Sequence, residues 1–271
     1  MTDDFLGLTK YSYQEEIDIK MKITILGSGG GRCAPVYGCK CDACRLANID
    51  STRRRKPASV LIECNGVKLL IDAGIKDFHD RFPAGTLRYI LLTEYQIDNV
   101  LGLYDVRSGI DVSIHVVGPS DSAGCADLLE FPGILDFKQK AHPLESFQLA
   151  SFNITPLPLY APHEVLGYLI SCNDKCIAYL PDTAALDEPM IDNLREARLD
   201  VMFIDCNNRS PSIGHDKDTD IERALRMHNG TLTQKTVLTC LGHEMDNWLI
   251  KHEDTLPFDI EVAYEGKIFR L

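Results

Sequence analysis

Residues 91–100, which are the most informative about the architecture, are Leu91-Leu92-Thr93-Glu94-Tyr95-Gln96-Ile97-Asp98-Asn99-Val100. It continues a short apolar run, Tyr89-Ile90-Leu91-Leu92, which is typical of a buried strand. Glu94, Gln96 and Asp98 then follow at every second position. In extended backbone such side chains point the same way, so the pattern predicts a strand that runs out into a loop presenting a site.

Composition and charge exclude several classes of protein. The chain has 271 residues, 45% of them hydrophobic, which is enough to bury a large core in one α/β domain. Its net charge of -12 repels phosphate backbones, so we expect no nucleic-acid partner. The one basic cluster, Arg53-Arg54-Arg55-Lys56, is typical of a solvated turn. No apolar run reaches the ~20 residues of a membrane span, and the acidic start differs from a signal peptide, so we expect a cytoplasmic protein with no membrane partner.

The ten cysteines favour a metal cluster over a disulfide scaffold. Three of them lie in Cys39-Lys40-Cys41-Asp42-Ala43-Cys44, and others, such as Cys176 and Cys206, lie in apolar runs, so we expect reduced thiols. Zinc prefers four ligands in a tetrahedron, and this spacing supplies three thiolates on one loop. The alternative is three cysteines without a metal, but thiols at this density are prone to oxidation. We therefore predict a structural zinc whose fourth ligand is a distant residue.

The chain begins with a segment that lacks a periodic pattern. Residues 1–20 are polar and acidic and are interpreted as an N-terminal extension, whereas residues 21–271 are predicted to form a single domain. Lys22–Leu26 reads as the first strand, and glycines follow it. Arg32 stands where a dinucleotide-binding motif needs its last glycine, so a nucleotide site is not indicated.

Turn residues predict how the strands pair. Asn65-Gly66 lies between two apolar runs and predicts a β-hairpin. Glu265-Gly266 predicts a second hairpin between residues 260–264 and 267–270. Two strand-rich halves, each interrupted by helical patterns, predict an α/β protein with two mixed sheets packed face to face and helices on the outer faces.

Several landmarks occur in an order that resembles a known family. They are Ile25-Leu26-Gly27-Ser28-Gly29-Gly30, Gly38-Cys39-x-Cys41-x-x-Cys44, Leu70-Ile71-Asp72-Ala73-Gly74, Leu157-Pro158-Leu159, Pro181-Asp182-Thr183, and Leu238-Thr239 followed by His243. From Met21 to about Phe269 the chain resembles the carbon-phosphorus lyase accessory phosphodiesterases, which open phosphoribosyl cyclic phosphate and have the metallo-β-lactamase fold, an αββα sandwich. A shorter segment, Gln96-Ile97-Asp98, resembles pyrroloquinoline quinone biosynthesis protein B. The resemblance implies that His243 is the fourth zinc ligand.

The resemblance also implies a catalytic site with two metals, built on the motif T-H-x-H-x-D-H. In this chain Glu94 and Gln96 stand at the first two histidines and Asn99 at the third, and only Asp98 is retained. Amide oxygens are weak metal ligands, so these substitutions argue against a tight dinuclear zinc site.

The other inherited ligand positions fall on Ala161, Cys240 and Asp182, and Ala161 cannot bind a metal. His163 lies two residues beyond Ala161 and could approach the site. Asp98 and Asp182, together with Glu94, could still hold one Mn²⁺ or Mg²⁺, or with His163 one Fe²⁺.

Three further positions have both a chemical and a structural interpretation. His215 lies near the place where the resemblance puts a general acid, and a solvated loop histidine is the alternative. Cys240 is a candidate ligand or nucleophile, although a strand-end cysteine is more often a small core residue. Asp72 and Asp205 end strands and are expected to orient loops through hydrogen bonds.

These observations leave more than one class of function open. The first is an altered metal-dependent hydrolase or a catalytically impaired homologue of one. The second is a non-catalytic binding or scaffold protein that keeps its structural zinc. The third, implied by the quinone-biosynthesis resemblance, is iron-dependent oxidation of a small molecule. The expected partner is a small-molecule ligand, with phosphorylated compounds among the options, and a homodimer stays open.

Overall fold

The computed structural model describes residues 20–122, 125–159, 164–183, 186–208 and 220–271. Within them, strands form two mixed sheets of seven strands each. The first sheet contains, in spatial order, β14 (Ile268–Arg270), β1 (Lys22–Gly27), β2 (Ser59–Cys64), β3 (Val67–Ile71), β4 (Tyr89–Leu91), β5 (Ile114–Val117) and β6 (Leu135–Asp136). The second contains β13 (Ile260–Val262), β12 (Thr236–Thr239), β11 (Val201–Asp205), β10 (Lys175–Leu180), β9 (Val165–Cys172), β8 (Phe152–Leu159) and β7 (Phe147–Leu149).

The described helices lie outside the two sheets or at their ends. They are α1 (Asp42–Ile49), α2 (Phe78–Arg81), α3 (Ile97–Val106), α4 (Ala126–Glu130), α5 (Glu188–Glu196), α6 (Asp220–Thr231) and α7 (His243–His252). Short 3-10 turns follow at Ser51–Arg53 and Glu253–Thr255. Among the residues that the structure describes, no helix is long and apolar enough to cross a membrane.

Alternating side chains divide the core into three layers. The layer between the sheets contains Ile62 and Leu91 from the first sheet and Tyr168 and Phe203 from the second. In the second layer, α2, α3 and α4 pack on the outer face of the first sheet. In the third layer, α5, α6 and α7 pack on the outer face of the second sheet. Burial of apolar surface on both faces of each sheet stabilises this arrangement. The predicted αββα sandwich is confirmed.

The two predicted hairpins have different outcomes. Asn65 and Gly66 connect antiparallel β2 and β3, and their φ values of 52° and 74° are those of a two-residue hairpin turn, so this prediction is confirmed. The hairpin at Glu265-Gly266 is wrong, because β13 pairs with β12 and β14 pairs with β1. The turn residues are suitable, but this turn carries the chain from one sheet to the other.

A disulfide joins the two sheets at the hairpin turns. Cys64 ends β2 and Cys172 ends β9, and the two are bonded with a Cα–Cα distance of 6.7 Å. The residues that follow them, Asn65 and Asn173, exchange side-chain amide hydrogen bonds of 3.2 and 3.4 Å. The prediction of reduced thiols is therefore wrong for this pair. Sequence spacing could not show the bond, because its partners are 108 residues apart and meet only when the sheets pack.

We expect loss of this disulfide to destabilise the fold. Closing a loop of 108 residues restricts the unfolded chain, and removing the bond should lower the free energy of unfolding by about 4–5 kcal/mol. The measurement is urea unfolding of the native chain and of the Cys64→Ala/Cys172→Ala variant. Cys206→Ala removes a buried free thiol without a bridge and is the matched control. Equal stability of the double variant and this control would show that the bond contributes nothing.

Candidate functional site

Two loops bring four soft ligand side chains together at one end of the sandwich. The ligand atoms of Cys39, Cys41, Cys44 and His243 lie within 4.8 Å of one another. His243 Nδ1 is 3.5 Å from the Sγ atoms of both Cys39 and Cys41. Tetrahedral zinc, with bonds of about 2.3 Å to sulfur and about 2.0 Å to nitrogen, places sulfur and nitrogen ligands about 3.5 Å apart. In the described ranges, no other group of three or more Cys, His, Asp and Glu side chains converges in this way.

Local structure explains how one short loop supplies three thiols. Gly38 has a φ of 77°, which lets the chain turn sharply before Cys39. Cys41 is the N-cap of α1, and its Sγ accepts a hydrogen bond from the Cys44 backbone at 3.5 Å. Cys44 therefore returns to the cluster from the first turn of the helix.

The fourth member comes from the other half of the chain. His243 is the first residue of α7, and its backbone N–H donates to the carbonyl of Arg32 at 2.9 Å. Asn247, one turn later, accepts a hydrogen bond from the backbone of Asp42 at 3.1 Å. These contacts hold α7 against the cysteine loop and fix the imidazole beside the thiols.

The chemistry of this donor set fits a zinc ion. Burial raises the pKa of the Cys44 thiol to about 12, so without a nearby cation this thiol stays protonated at neutral pH. A bound divalent cation reverses that preference, because it stabilises the thiolate. Three thiolates and one imidazole are a known structural zinc set, and four protein ligands leave no open position for substrate.

A second cluster lies where the strands of both sheets end. We define the strand-end site as residues 93–99, Asp182, Asp205, Thr239 and Cys240.

Asp72, directly after β3, accepts hydrogen bonds from the backbone N–H of Thr93 at 2.9 Å and from its hydroxyl at 2.9 Å. Asn99 Nδ2 in turn donates to the Thr93 hydroxyl at 3.1 Å. Burial raises the pKa of Asp72 to about 8. The expected role of Asp72 in orienting this loop is confirmed.

The loop that carries Glu94, Gln96 and Asp98 is not extended over its whole length. Extended backbone ends at Gln96, which is the N-cap of α3, and the helix begins at Ile97. Glu94 is buried at 3% exposure, whereas Gln96 is exposed. The expectation that Glu94, Gln96 and Asp98 point the same way applied to extended backbone, and this condition ends before Asp98 because the helix begins at Ile97.

Asp98 and Asp182 approach each other from opposite sheets. Asp98 is half-buried in the first turn of α3, and Asp182 is exposed just after β10 with a φ of 45°. Burial raises the pKa of Asp98, and the negative charge of Asp182 raises it further. Glu94, Asp98 and Asp182 do not form a three-ligand group among the described residues, so a single-cation site stays a prediction. His163, His215 and Ala161 lie outside the described residues.

Two polar groups on the floor of the strand-end site were not assigned to it from the sequence. Asp205 and Thr239 are opposite each other in the register of β11 and β12. They alternate with Phe203 and Val237 of the inner core, so both side chains face the space between the sheets. Asp205 Oδ1 and Thr239 Oγ1 are buried and have no hydrogen-bond partner in the described part of the chain. The available signal was the change from apolar to polar residues at the last inward position of each strand.

Cys240 completes the floor as a buried thiol. It follows β12, has a φ of 52° and is 6% exposed. Burial raises its pKa well above the ordinary value, and the charge of Asp205 adds to this effect. A thiol that stays protonated is a poor nucleophile, which favours the interpretation of Cys240 as a small core residue.

Comparisons with known proteins agree with this architecture. A family model described as the beta-lactamase superfamily domain matches residues 68–239. Coenzyme PQQ synthesis protein B of Methylobacterium radiotolerans is 26% identical over 218 residues, covering 68% of this chain and 72% of that protein. The crystal structure of a diphosphatase from the PhnP family has a TM-score of 0.76 at 23% identity and covers 93% of this chain and 97% of its own. Zn(2+)-bound PqqB from Methylobacterium extorquens has a TM-score of 0.72 at 18% identity, with 92% and 100% covered. At these identities the two structures show the fold.

Proposed function

The chain belongs to the beta-lactamase superfamily, and we propose that it is a catalytically impaired member of this superfamily. In this proposal the fold keeps a structural zinc, and the strand-end site binds a small molecule but does not hydrolyse phosphodiesters by the two-metal mechanism.

The observation that carries the proposal is the hydrogen bond from Asn99 to Thr93. In the motif that the chain resembles, this position holds a histidine that binds the second metal. Here the amide nitrogen donates to the Thr93 hydroxyl at 3.1 Å, and the hydroxyl lies 2.9 Å from Asp72. The side chain is thereby committed to holding the loop, and its remaining oxygen is a weak neutral ligand.

The other replaced positions support the same proposal. Glu94 is buried, Gln96 is exposed, and Cys240 is a buried thiol that favours its protonated form. Two-metal hydrolysis needs two cations about 3.5–4 Å apart that activate a water and stabilise the leaving oxygen. These side chains do not supply the ligands for such a pair.

The structural zinc is assigned to Cys39, Cys41, Cys44 and His243. The fit of the 3.5 Å sulfur–nitrogen distances to tetrahedral geometry supports this assignment. The ion would connect the loop after β1 to the start of α7, which belong to different sheets. Its role is therefore to hold the two halves of the sandwich together at the end that carries the strand-end site.

A soaking experiment tests the proposal directly. Crystals soaked in Mn²⁺ are expected to show at most one ion in the strand-end site, in contact with Asp98 or Asp182, because the amides of Gln96 and Asn99 cannot replace imidazole. Asp98→Asn should remove that ion, and Asp136→Asn, at a distant strand, should leave it unchanged. Two fully occupied ions about 3.5–4 Å apart would contradict the proposal.

Iron-dependent oxidation of a small molecule is the second candidate function. It is favoured by the 26% identity to coenzyme PQQ synthesis protein B and by the Gln96-Ile97-Asp98 segment. Metal analysis of protein purified without oxygen separates the two candidates, because only the oxidation function requires iron at close to one ion per chain.

A further inference from the structure

We propose that the strand-end site binds an organic cation, a primary ammonium or guanidinium group of a small molecule, between Asp98 and Asp182. The inference rests on the proposed function, because it names the ligand class of the same site. It differs from the inherited phosphodiesterase chemistry, whose substrate is an anion.

The charges at the mouth of the site favour a cation. Asp98 and Asp182 come from opposite sheets, and the charge of Asp182 acts on Asp98. In the ranges that the structure describes, neither carboxylate has an ion-pair partner. Arg223 is a buried cation near the site, but its guanidinium is 2.9 Å from Asp220 and 3.6 Å from Asp205. Two carboxylates that have no counter-charge among the described residues repel a phosphate and attract a cation.

The floor of the site contains a buried carboxylate oxygen and a buried hydroxyl that lack hydrogen-bond partners among the described residues. Asp205 is 7% exposed and Thr239 is 0% exposed, and each has one oxygen without a partner among the described residues. Both side chains face the space between the sheets at the carboxyl ends of β11 and β12. An ionised carboxylate oxygen only accepts, so the buried Asp205 Oδ1 is satisfied by a ligand that carries donors, whereas the Thr239 hydroxyl can either donate or accept. An ammonium carries three N–H donors and a guanidinium up to five, whereas an ionised phosphate diester carries none.

The three carboxylates do not converge as the ligands of a bare ion do, which favours an organic group. Mg²⁺ holds its oxygen ligands at about 2.0–2.1 Å, so those oxygens lie close together. Asp98, Asp182 and Asp205 do not form a group with the 4.8 Å convergence of the zinc ligands. Charge-assisted N–H···O bonds are about 2.7–2.9 Å long, and a guanidinium spreads its donors over a planar fork. Such a group can bond to oxygens that are farther apart than the oxygens around a Mg²⁺ ion.

The glycine loop leaves room above Asp98. A Cβ atom built on Gly31 would lie 3.7 Å from Asp98 Oδ2, and no other atom of the described residues beyond its chain neighbours would lie within 4 Å. A leucine at this position would therefore cover Asp98 without removing a carboxylate. Gly31→Leu is a variant that blocks the proposed site and leaves its charges in place.

The test is calorimetric titration of the full zinc-loaded chain with butylguanidinium and with butylammonium. Butanol, butyrate and inorganic phosphate are the uncharged and anionic comparison probes. We expect at least one of the two cations to bind about tenfold or more tightly than butanol, as one charge-assisted hydrogen bond allows. Asp98→Asn/Asp182→Asn and Gly31→Leu should each weaken that binding about tenfold or more. Asp254→Asn, an exposed carboxylate on a distant turn, should not change it.

Several outcomes would overturn the inference. They are equal affinity for butanol and the cations, unchanged cation affinity in both site variants, and binding of Mn²⁺ without binding of either organic cation. Melting curves show whether each variant is folded, and Gly31→Leu keeps the test valid if the double carboxylate variant is not. Hydrolysis of bis-nitrophenyl phosphate by the native chain would instead contradict the proposed function, which this titration does not measure.

Discussion

Protein purified without added metal is expected to contain about one zinc per chain, and Cys44→Ser is expected to lose both the zinc and most of the stability. Structural zinc sites contribute about 10–16 kcal/mol of apparent binding free energy in small zinc-binding peptides. The net stability of a folded domain is only about 5–15 kcal/mol. Cys44 is fully buried, so serine there would also leave a hydroxyl among apolar groups.

Elemental analysis and thermal unfolding of the same samples measure this effect. Cys33→Ser is the matched control, because Cys33 lies on the same loop and its thiol bonds to the Arg55 carbonyl instead of facing His243. The control should keep its zinc and melt close to the native chain. Folded, monodisperse native protein that contains no zinc would show that Cys39, Cys41, Cys44 and His243 are not a structural metal site.

The zinc ligands also show which features were predictable from sequence. Cys39, Cys41 and Cys44 could be recognised together because their spacing is local and a helix N-terminus brings Cys44 back to Cys41. His243 has no such local pattern, and only family resemblance pointed to it. Its position depends on how β12 and α7 pack against the first loop, which is a tertiary property.

The features that the sequence did not predict correctly also depend on tertiary contacts. The alternation of Glu94, Gln96 and Asp98 predicted a shared direction, but the helix that starts at Ile97 overrides it. The turn residues Glu265-Gly266 predict a hairpin, but the strand that follows them, β14, pairs with β1 in the other sheet. The partnerless oxygens of Asp205 and Thr239 depend on which groups surround them after folding. Periodicity identifies strands and their inward positions, and it carries no information on these contacts.

We also expect the native chain to hydrolyse phosphodiesters very weakly or not at all. In the two-metal mechanism, cations lower the pKa of a bound water from 15.7 to about 7 and neutralise charge on the phosphoryl oxygens. Asn99 is hydrogen-bonded to Thr93, and Asp98 and Asp182 would repel a phosphate that is not screened by metal. Cyclic phosphodiesters and bis-nitrophenyl phosphate should therefore not be turned over, even with added Mn²⁺ or Ni²⁺.

The complementary experiment replaces the residues at the inherited ligand positions with histidine. These changes should restore metal binding more readily than the rate of hydrolysis. The restored chain combines Glu94→His, Gln96→His, Asn99→His, Ala161→His and Cys240→His. Asp98 and Asp182 are retained as the remaining ligands, so two ions are expected to bind, whereas the rate also depends on how the new imidazoles are oriented. A chain with four of these changes that keeps Asn99 should bind the second ion poorly, because its amide stays bonded to Thr93. Robust metal-dependent hydrolysis by the unmodified protein would show that Glu94, Asp98, Asp182 and His163 form a working catalytic site without the other histidines of the motif.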